Sequence, residues 1–75
     1  MKSKYLIVKV LGLDLPILFP EAIQHDEVLK LAAKEPVSAG FYEVIDGKVF
    51  VHGFSISLDL DHRAEDAAII ERFLK

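Results

Sequence analysis

The sequence predicts a single α+β domain in which two β-hairpins are each followed by a helix, in the order β-β-α-β-β-α. Four short segments are rich in β-branched and aromatic residues, two have the composition or period of a helix, and Gly or Pro stands at most of the joints. Residues 1–36 supply the first hairpin and helix, and residues 37–75 the second. We expect a two-layer sandwich, a mostly antiparallel sheet with both helices on one face.

The first strand is predicted from Lys4 to Leu11, a β-branched and aromatic stretch. Its even-numbered positions place three apolar residues on one face: Leu6, Val8 and Val10. Its odd-numbered positions form the other face: Tyr5, Ile7, Lys9 and Leu11. Both faces are mostly apolar, so this strand is expected to be central. With both helices on one face, the other face stays open, and we expect a homodimer to form there or along an exposed strand edge. The interface candidates are Tyr5, Ile7 and Leu11.

A turn at Gly12-Leu13-Asp14 leads to a short second strand from Leu15 to Phe19. Pro16 has no N–H group, which pushes this strand toward the sheet edge. Helix-favouring residues then run from Glu21 to Lys34, and Pro36 stops them. The helix begins either near Glu21 or at His25, where acidic residues follow and suit a helix N-terminus.

The second hairpin is predicted from a strand at Val37–Ile45, an Asp46-Gly47 turn and a strand from Lys48 onward. The apolar phase slips by one residue across His52-Gly53. A β-bulge at Gly53 would restore it; alternatively the strand breaks there and a fifth begins. Either interpretation buries one set of residues: Phe54, Ile56, Leu58 and Leu60. Either leaves another set outside: Ser55, Ser57, Asp59 and Asp61.

The period becomes helical after Leu60, which predicts a C-terminal helix. Asp61 can cap its N-terminus, and Glu65 and Asp66 lie in its first turn. One face of this helix is apolar: Ala67, Ile70 and Leu74, with Phe73 beside them.

Composition excludes several function classes. The 75 residues carry a net charge of −3 without a basic run, which argues against nucleic-acid binding and against a basic membrane-surface helix. There is no cysteine, so disulfides and thiolate metal sites are excluded. The apolar N-terminal stretch is interrupted by Lys9 and Asp14 and is interpreted as strands, in a cytoplasmic protein without a membrane span. No cofactor motif is present.

Two groups of residues are candidates for chemistry. His25 beside Asp26 has the composition of a general base or half of a metal site, but a helix start also explains the pair. Two imidazoles and two carboxylates within eleven residues could converge on a divalent ion, but a solvated strand face ending in a helix cap explains them as well. These are His52, Asp59, Asp61 and His62. Ser38 lacks the glycines of a nucleophile elbow.

Three segments carry a resemblance to a group of short, uncharacterised proteins encoded by phages and prophages of bacteria. They are ILFPEAIQHDEV, PVSAGFYEV and HGFSISLDLDHRAEDAAII. In the group that this chain resembles, the last segment has the pattern Gly-x-Ser-x-Ser-Leu-x-Leu, followed by a helix that starts with Ser-Arg-Pro-Glu-Asp. This chain keeps Gly53, Ser55, Ser57, Leu58 and Leu60. His62 stands where the capping Ser would be and Ala64 where the Pro would be. The resemblance implies a phage accessory role and no activity.

The sequence therefore predicts a non-enzymatic protein–protein interaction module of phage or prophage origin, dimeric, with a host or phage protein as a further partner. The surplus of apolar residues, 52% of the chain, motivates this interpretation. The alternative is a small metal-binding or metal-dependent hydrolytic protein that uses His25 or the second histidine group.

Overall fold

The computed structural model describes residues 3–32 and 34–75, and it is built around a four-stranded antiparallel sheet in the order β2-β1-β3-β4. The large elements are β1 (Ser3–Val10), β2 (Leu13–Pro20), α1 (His25–Ala32), β3 (Glu35–Ile45), β4 (Lys48–His52) and α2 (Asp66–Leu74). A two-stranded ribbon, β5 (Phe54–Ser55) and β6 (Leu60–Asp61), lies between β4 and α2. The α+β class and the antiparallel sheet are confirmed. Neither α1 nor α2, the helices within the described ranges, is long and apolar enough to cross a bilayer.

Strand β1 is central, as its two apolar faces predicted. It pairs with β2 on one side and with β3 on the other. Leu6 and Val8 belong to one buried cluster, whereas Tyr5 and Ile7 belong to a second cluster on the opposite face. Alternation along one strand therefore supplies two separate cores, and each of them needs a cover.

The two helices cover opposite faces of the sheet, so the expectation of both on one face is wrong. Val28 of α1 packs with Leu6 and Val8, while Ile70 of α2 packs with Tyr5 and Ile7. Both Tyr5 and Ile7 are fully buried beneath α2 and are not available to a partner. Because burying both apolar faces of β1 removes more surface from water than burying one, a helix on each face is favoured.

Both hairpins turn through two residues with positive φ. The angles are 52° and 81° at Leu11 and Gly12, and 52° and 77° at Asp46 and Gly47. Positive φ at both central positions is the type I′ geometry, whose twist matches that of the flanking strands. The Asp46-Gly47 turn is confirmed, and the first turn lies one residue earlier than expected.

Both edges of the sheet are protected against further strand pairing. Val10 and Leu13 close the first turn, so every second residue from Asp14 onward points its N–H group away from β1. Pro16 and Pro20 occupy two of these positions and have no N–H group to offer, which confirms the edge position of β2. On the β4 edge, the N–H of Val49 donates to Glu71 Oε1 of α2 at 3.0 Å.

Gly53 breaks the strand instead of bulging it, which is the second of the two interpretations. Its φ is 76°, and β5 begins at the next residue. The bulge in the sheet lies in β3, where the pairing shifts between Ile7 and Val8 of β1 and leaves Val37 as the extra residue. Val37 is thereby turned toward the α2 face and packs in its cluster.

The ribbon reverses the expected burial of its first residues. Phe54 and Ile56 are exposed, and Ser55 is buried. Because residues 56–59 form a turn, with the N–H of Asp59 donating to the carbonyl of Ile56, strand alternation ends at Ser55. Beyond the turn, Leu58 and Leu60 pack against the α1-side core as predicted.

Helix α2 begins later than expected, and Asp61 does not cap it. Glu65 stands at the N-cap position without a side-chain bond, while the Asp66 carboxylate accepts the N–H of Arg63 at 2.9 Å. This bond ties the segment before the helix to the first residue of α2. In the last turn Leu74 is half exposed, so the predicted apolar face of α2 is buried only in its first two turns.

Candidate functional site

His25, the first predicted site residue, is a buried side chain at the start of α1. Its Nε2 donates to the carbonyl of Gly40 at 3.1 Å, because a carbonyl oxygen can only accept. The rings of Phe19 and Phe41 meet it edge-on, with centroids 5.2 Å and 6.1 Å away. Burial lowers the pKa of His25, so the imidazole is neutral at pH 7. The neighbouring Asp26 makes no described side-chain bond to it and remains partly exposed.

Lys4 is a buried cation beside His25 that the sequence analysis did not select. Its side chain is 7% exposed and lies between Phe19 and Phe41, its neighbours across the sheet. The Nζ atom donates to the carbonyl of Ile23 at 3.0 Å and lies 5.8 Å from the centroid of the Phe41 ring. No carboxylate in residues 3–32 or 34–75 forms an ion pair with it. The sequence contained a signal for the burial of Lys4, because Lys4 lies on the same face of β1 as the buried Leu6 and Val8.

A cavity of about 280 Å³ opens beside these two side chains, and we call it the Lys4 pocket. Its lining consists of Lys4, Gln24, His25, Phe41, Gly53, Phe54, Ser55, Ile56 and Ser57. The ribbon supplies one wall, in which the buried Ser55 Oγ accepts the N–H of Leu58 and lies 3.3 Å from Ser57 Oγ. The pocket thus combines one cation, hydroxyl groups and aromatic surface.

The second predicted group does not form a common site. The His52 ring stacks on Phe41 at 5.8 Å with an interplanar angle of 14°, and Asp59 is exposed in the ribbon turn with a φ of 54°. His62 Nδ1 lies 2.8 Å from the carbonyl of Gly53 and 2.9 Å from Asp61 Oδ1. Since both partners are acceptors, Nδ1 carries the hydrogen. Within the described ranges, no three His, Asp or Glu side chains are grouped to hold a metal ion.

A polar network beneath α2 was also missed by the sequence analysis. Asp66 is fully buried and accepts from the Tyr5 hydroxyl at 2.6 Å and from Arg63 Nε at 2.9 Å. Arg63 continues to Asp14 at 3.4 Å, and Asp14 pairs with Lys9 at 2.8 Å. Lys9, followed by Arg63, holds the pKa of Asp14 below its usual value. The four-residue spacing of Asp66 and Ile70 places both on one helix face and could have indicated the burial.

A groove of about 510 Å³ runs between β2 and α2, and we call it the α2 groove. Its lining mixes apolar and charged residues: Lys9, Gly12, Leu13, Asp14, Leu15, Pro16, Ile69, Arg72 and Phe73. The side chains of Leu13 and Leu15 alternate toward the α1 face, so the apolar surface on the α2 side comes from Pro16, Ile69 and the exposed Phe73. Leu11, the third predicted interface residue, protrudes from that turn and is 98% exposed. The structure therefore leaves Leu11 on the surface and removes Tyr5 and Ile7 from it.

The fold and these surfaces define a small α+β protein whose described part carries the Lys4 pocket and the α2 groove. The chain matches no protein-family model, no curated protein and no solved structure. The resemblance to phage-encoded proteins therefore stays a prediction, and function is inferred from the geometry of this chain.

Proposed function

We propose that the protein is a non-enzymatic interaction module that works as a homodimer. The dimer is joined by the tip of the β1–β2 hairpin, which enters the α2 groove of the partner copy. The observation that carries the proposal is the side chain of Leu11, an apolar residue 98% exposed at a left-handed turn position. The phage or prophage origin, the cytoplasmic location and a further host or phage partner remain predictions from the sequence.

Leu11 brings no benefit to the isolated chain. The first central position of a type I′ turn favours Asn, Asp or Gly, and a left-handed leucine costs about 1–2 kcal/mol. Its side chain also gains nothing from burial, since almost all of it faces solvent. Burial against a partner would recover about 1.5–3 kcal/mol for each leucine. A residue that breaks a local rule without a local gain is characteristic of a functional surface.

The α2 groove is the complement of Leu11 on the same chain. Ile69 and Phe73 of α2, with Pro16 of β2, offer apolar surface next to the turn that carries Leu11. Charged residues complete the lining: Lys9, Asp14 and Arg72. In a two-fold dimer the same patch serves both copies, so a protruding group beside a groove is self-complementary. Pairing along the sheet edges is disfavoured because prolines protect β2 and Glu71 occupies the Val49 N–H of β4.

The test is the variant Leu11→Asn, measured by light scattering on size-exclusion peaks over a concentration series. We expect wild type to dimerise and Leu11→Asn to weaken the dimer by roughly 100-fold, because two leucine contacts worth about 3 kcal/mol together are lost. The monomer itself should be as stable as wild type or more stable, since Asn suits the turn.

The matched control is Leu31→Gln, which removes a leucine that is 89% exposed on α1 and does not line the α2 groove. This variant should dimerise like wild type. A wild-type chain that stays monomeric at high micromolar concentration contradicts the proposal. A dimer disrupted by Leu31→Gln and not by Leu11→Asn would place the interface on α1 instead.

A further inference from the structure

The Lys4 pocket contains a charge without a counter-ion among the residues that the structure describes. Lys4 is buried, and the one short bond of its ammonium goes to the neutral carbonyl of Ile23. A buried charge is costly unless it is paired, and a carbonyl and the face of Phe41 offset only part of that cost. An ammonium has three donors, so two remain for another acceptor.

Apolar side chains and a small volume determine which ligands the rest of the Lys4 pocket can accept. Phe41 is held close by Gly53, at which an added Cβ would lie 2.8 Å from Phe41 Cδ1. Phe54 and Ile56 contribute exposed apolar side chains at the rim. The volume of about 280 Å³ lies near the lower end of the range of about 300–1,000 Å³ that is typical of small-molecule pockets.

Two hydroxyl groups, those of Ser55 and Ser57, add polar groups to the lining. The Ser55 oxygen accepts the N–H of Leu58, so its own hydrogen is free to donate to Ser57 or to a ligand. The His25 Nε2 hydrogen is already used by the carbonyl of Gly40. Lys4 therefore supplies the one full positive charge of the pocket, and Ser55 and Ser57 supply neutral partners.

We propose that the Lys4 pocket binds a small, singly charged carboxylate that carries an aromatic or short aliphatic body. The carboxylate pairs with Lys4 Nζ and accepts from a serine hydroxyl, and the body packs on Phe41, Phe54 and Ile56. One cation matches one negative charge, and the apolar surface distinguishes such a ligand from inorganic phosphate. This site is separate from the proposed dimer surface and does not depend on it.

The test is a titration of the complete chain with benzoate and with hexanoate, monitored by amide chemical shifts and by calorimetry. We expect saturable binding, with shifts centred on Lys4, Ser55 and Ile56. The neutral analogue benzamide should bind at least about tenfold more weakly than benzoate, because the charge-assisted hydrogen bond is lost. Inorganic phosphate should also bind more weakly than benzoate.

Variants assign the binding to the pocket. Lys4→Met keeps the length of the side chain without its charge and should weaken benzoate binding about tenfold or more. Ile56→Glu changes a residue that is 84% exposed at the rim, so it spares the fold and should repel the anion. The control Lys48→Met removes a lysine exposed at the start of β4 and should bind like wild type.

Each of the following outcomes would overturn the proposal. They are the absence of a saturable response to both carboxylates, benzamide binding as tight as benzoate binding, phosphate binding tighter than benzoate binding, unchanged benzoate affinity in a folded Lys4→Met, and equal loss of binding in Lys48→Met. If Lys4→Met does not fold, Ile56→Glu decides the result, and unchanged benzoate affinity in that variant would also overturn it.

Discussion

Lys4 and Asp66 are both charged residues at core-facing positions, and the structure treats them differently. Asp66 accepts from the Tyr5 hydroxyl and from two nitrogens of Arg63, so its charge is compensated. Lys4 has the carbonyl of Ile23 and an aromatic face. A fully satisfied buried group fixes a fold, whereas an incompletely satisfied one is a place where a ligand can act.

The Tyr5 hydroxyl should make the protein sensitive to alkali. Burial, followed by the bond to Asp66, raises the pKa of Tyr5 above its usual value of about 10. Above that pH the unfolded chain loses a proton that the folded chain keeps. The free energy of unfolding should then fall with a slope of up to about 1.4 kcal/mol per pH unit above pH ~10, and Tyr5 should add no pH dependence below it.

Tyr5→Phe checks this expectation. The variant should lose about 1–2 kcal/mol at pH 7 through the missing hydrogen bond, and its stability should fall less steeply above pH ~10. Urea unfolding at several pH values measures both effects. Tyr42→Phe is the control, because Tyr42 makes no described side-chain hydrogen bond. An equally steep alkaline loss in Tyr5→Phe would contradict the assignment.

His25 should have the opposite pH dependence. Burial lowers its pKa below the usual ~6.5, so its contribution to stability is complete above that pH and is lost as the pH falls through the folded-state pKa. An NMR titration of the imidazole protons, assigned with His25→Gln, should give a midpoint below 6.5. A midpoint at or above that value would mean that the ring is open to solvent.

Among the elements, the β5–β6 ribbon follows a segment that lies close to the sheet, where Gly53 leaves room for the Phe41 ring. Gly53 has a φ of 76°, and a Cβ there would lie 2.8 Å from the Phe41 ring. Gly47 has a similar φ of 77° and open space around it. The two glycines therefore separate the effect of backbone conformation from the effect of a steric contact.

Gly47→Ala should cost about 1 kcal/mol of unfolding free energy, the penalty of a positive φ alone. Gly53→Ala should cost that amount and about 1–3 kcal/mol more, because Phe41 has to move. Urea unfolding of both variants gives the difference. Equal losses would show that the ribbon adapts to a Cβ without strain.

At the scale of the whole molecule, 75 residues are few for the apolar surface that they carry. A domain of 75 residues buries only about 60% of the surface of its unfolded chain, and several large apolar residues remain exposed. If the dimer buries part of them, the midpoint of thermal unfolding should rise with protein concentration. The midpoint of Leu11→Asn should not change over the same range. Calorimetry at several concentrations measures this, and a wild-type midpoint independent of concentration would argue against a dimer.

The elements of the fold could be predicted from the sequence more completely than the site. Alternation in β1, the Asp46-Gly47 turn and the helical period after Leu60 each depend on neighbours in the chain, and all three were confirmed. His25 was selected and lies in the Lys4 pocket. Lys4 and Asp66 were not selected. A charged residue at a core-facing position can be paired, solvated or part of a site, and only its neighbours in the folded chain distinguish these cases.

Local patterning determined the order of the four sheet strands and two helices along the chain, the α+β class, the central position of β1 and the edge position of β2, since each follows from residues a few positions apart. The tertiary structure alone decided which face each helix covers, and with it whether Tyr5 and Ile7 are surface or core. Alternation shows which side chains share a face, but it does not show which long-range packing covers that face. The path of the ribbon past the sheet, which brings Ser55 toward Lys4 and α2 over Tyr5, depends on contacts between residues distant in the chain.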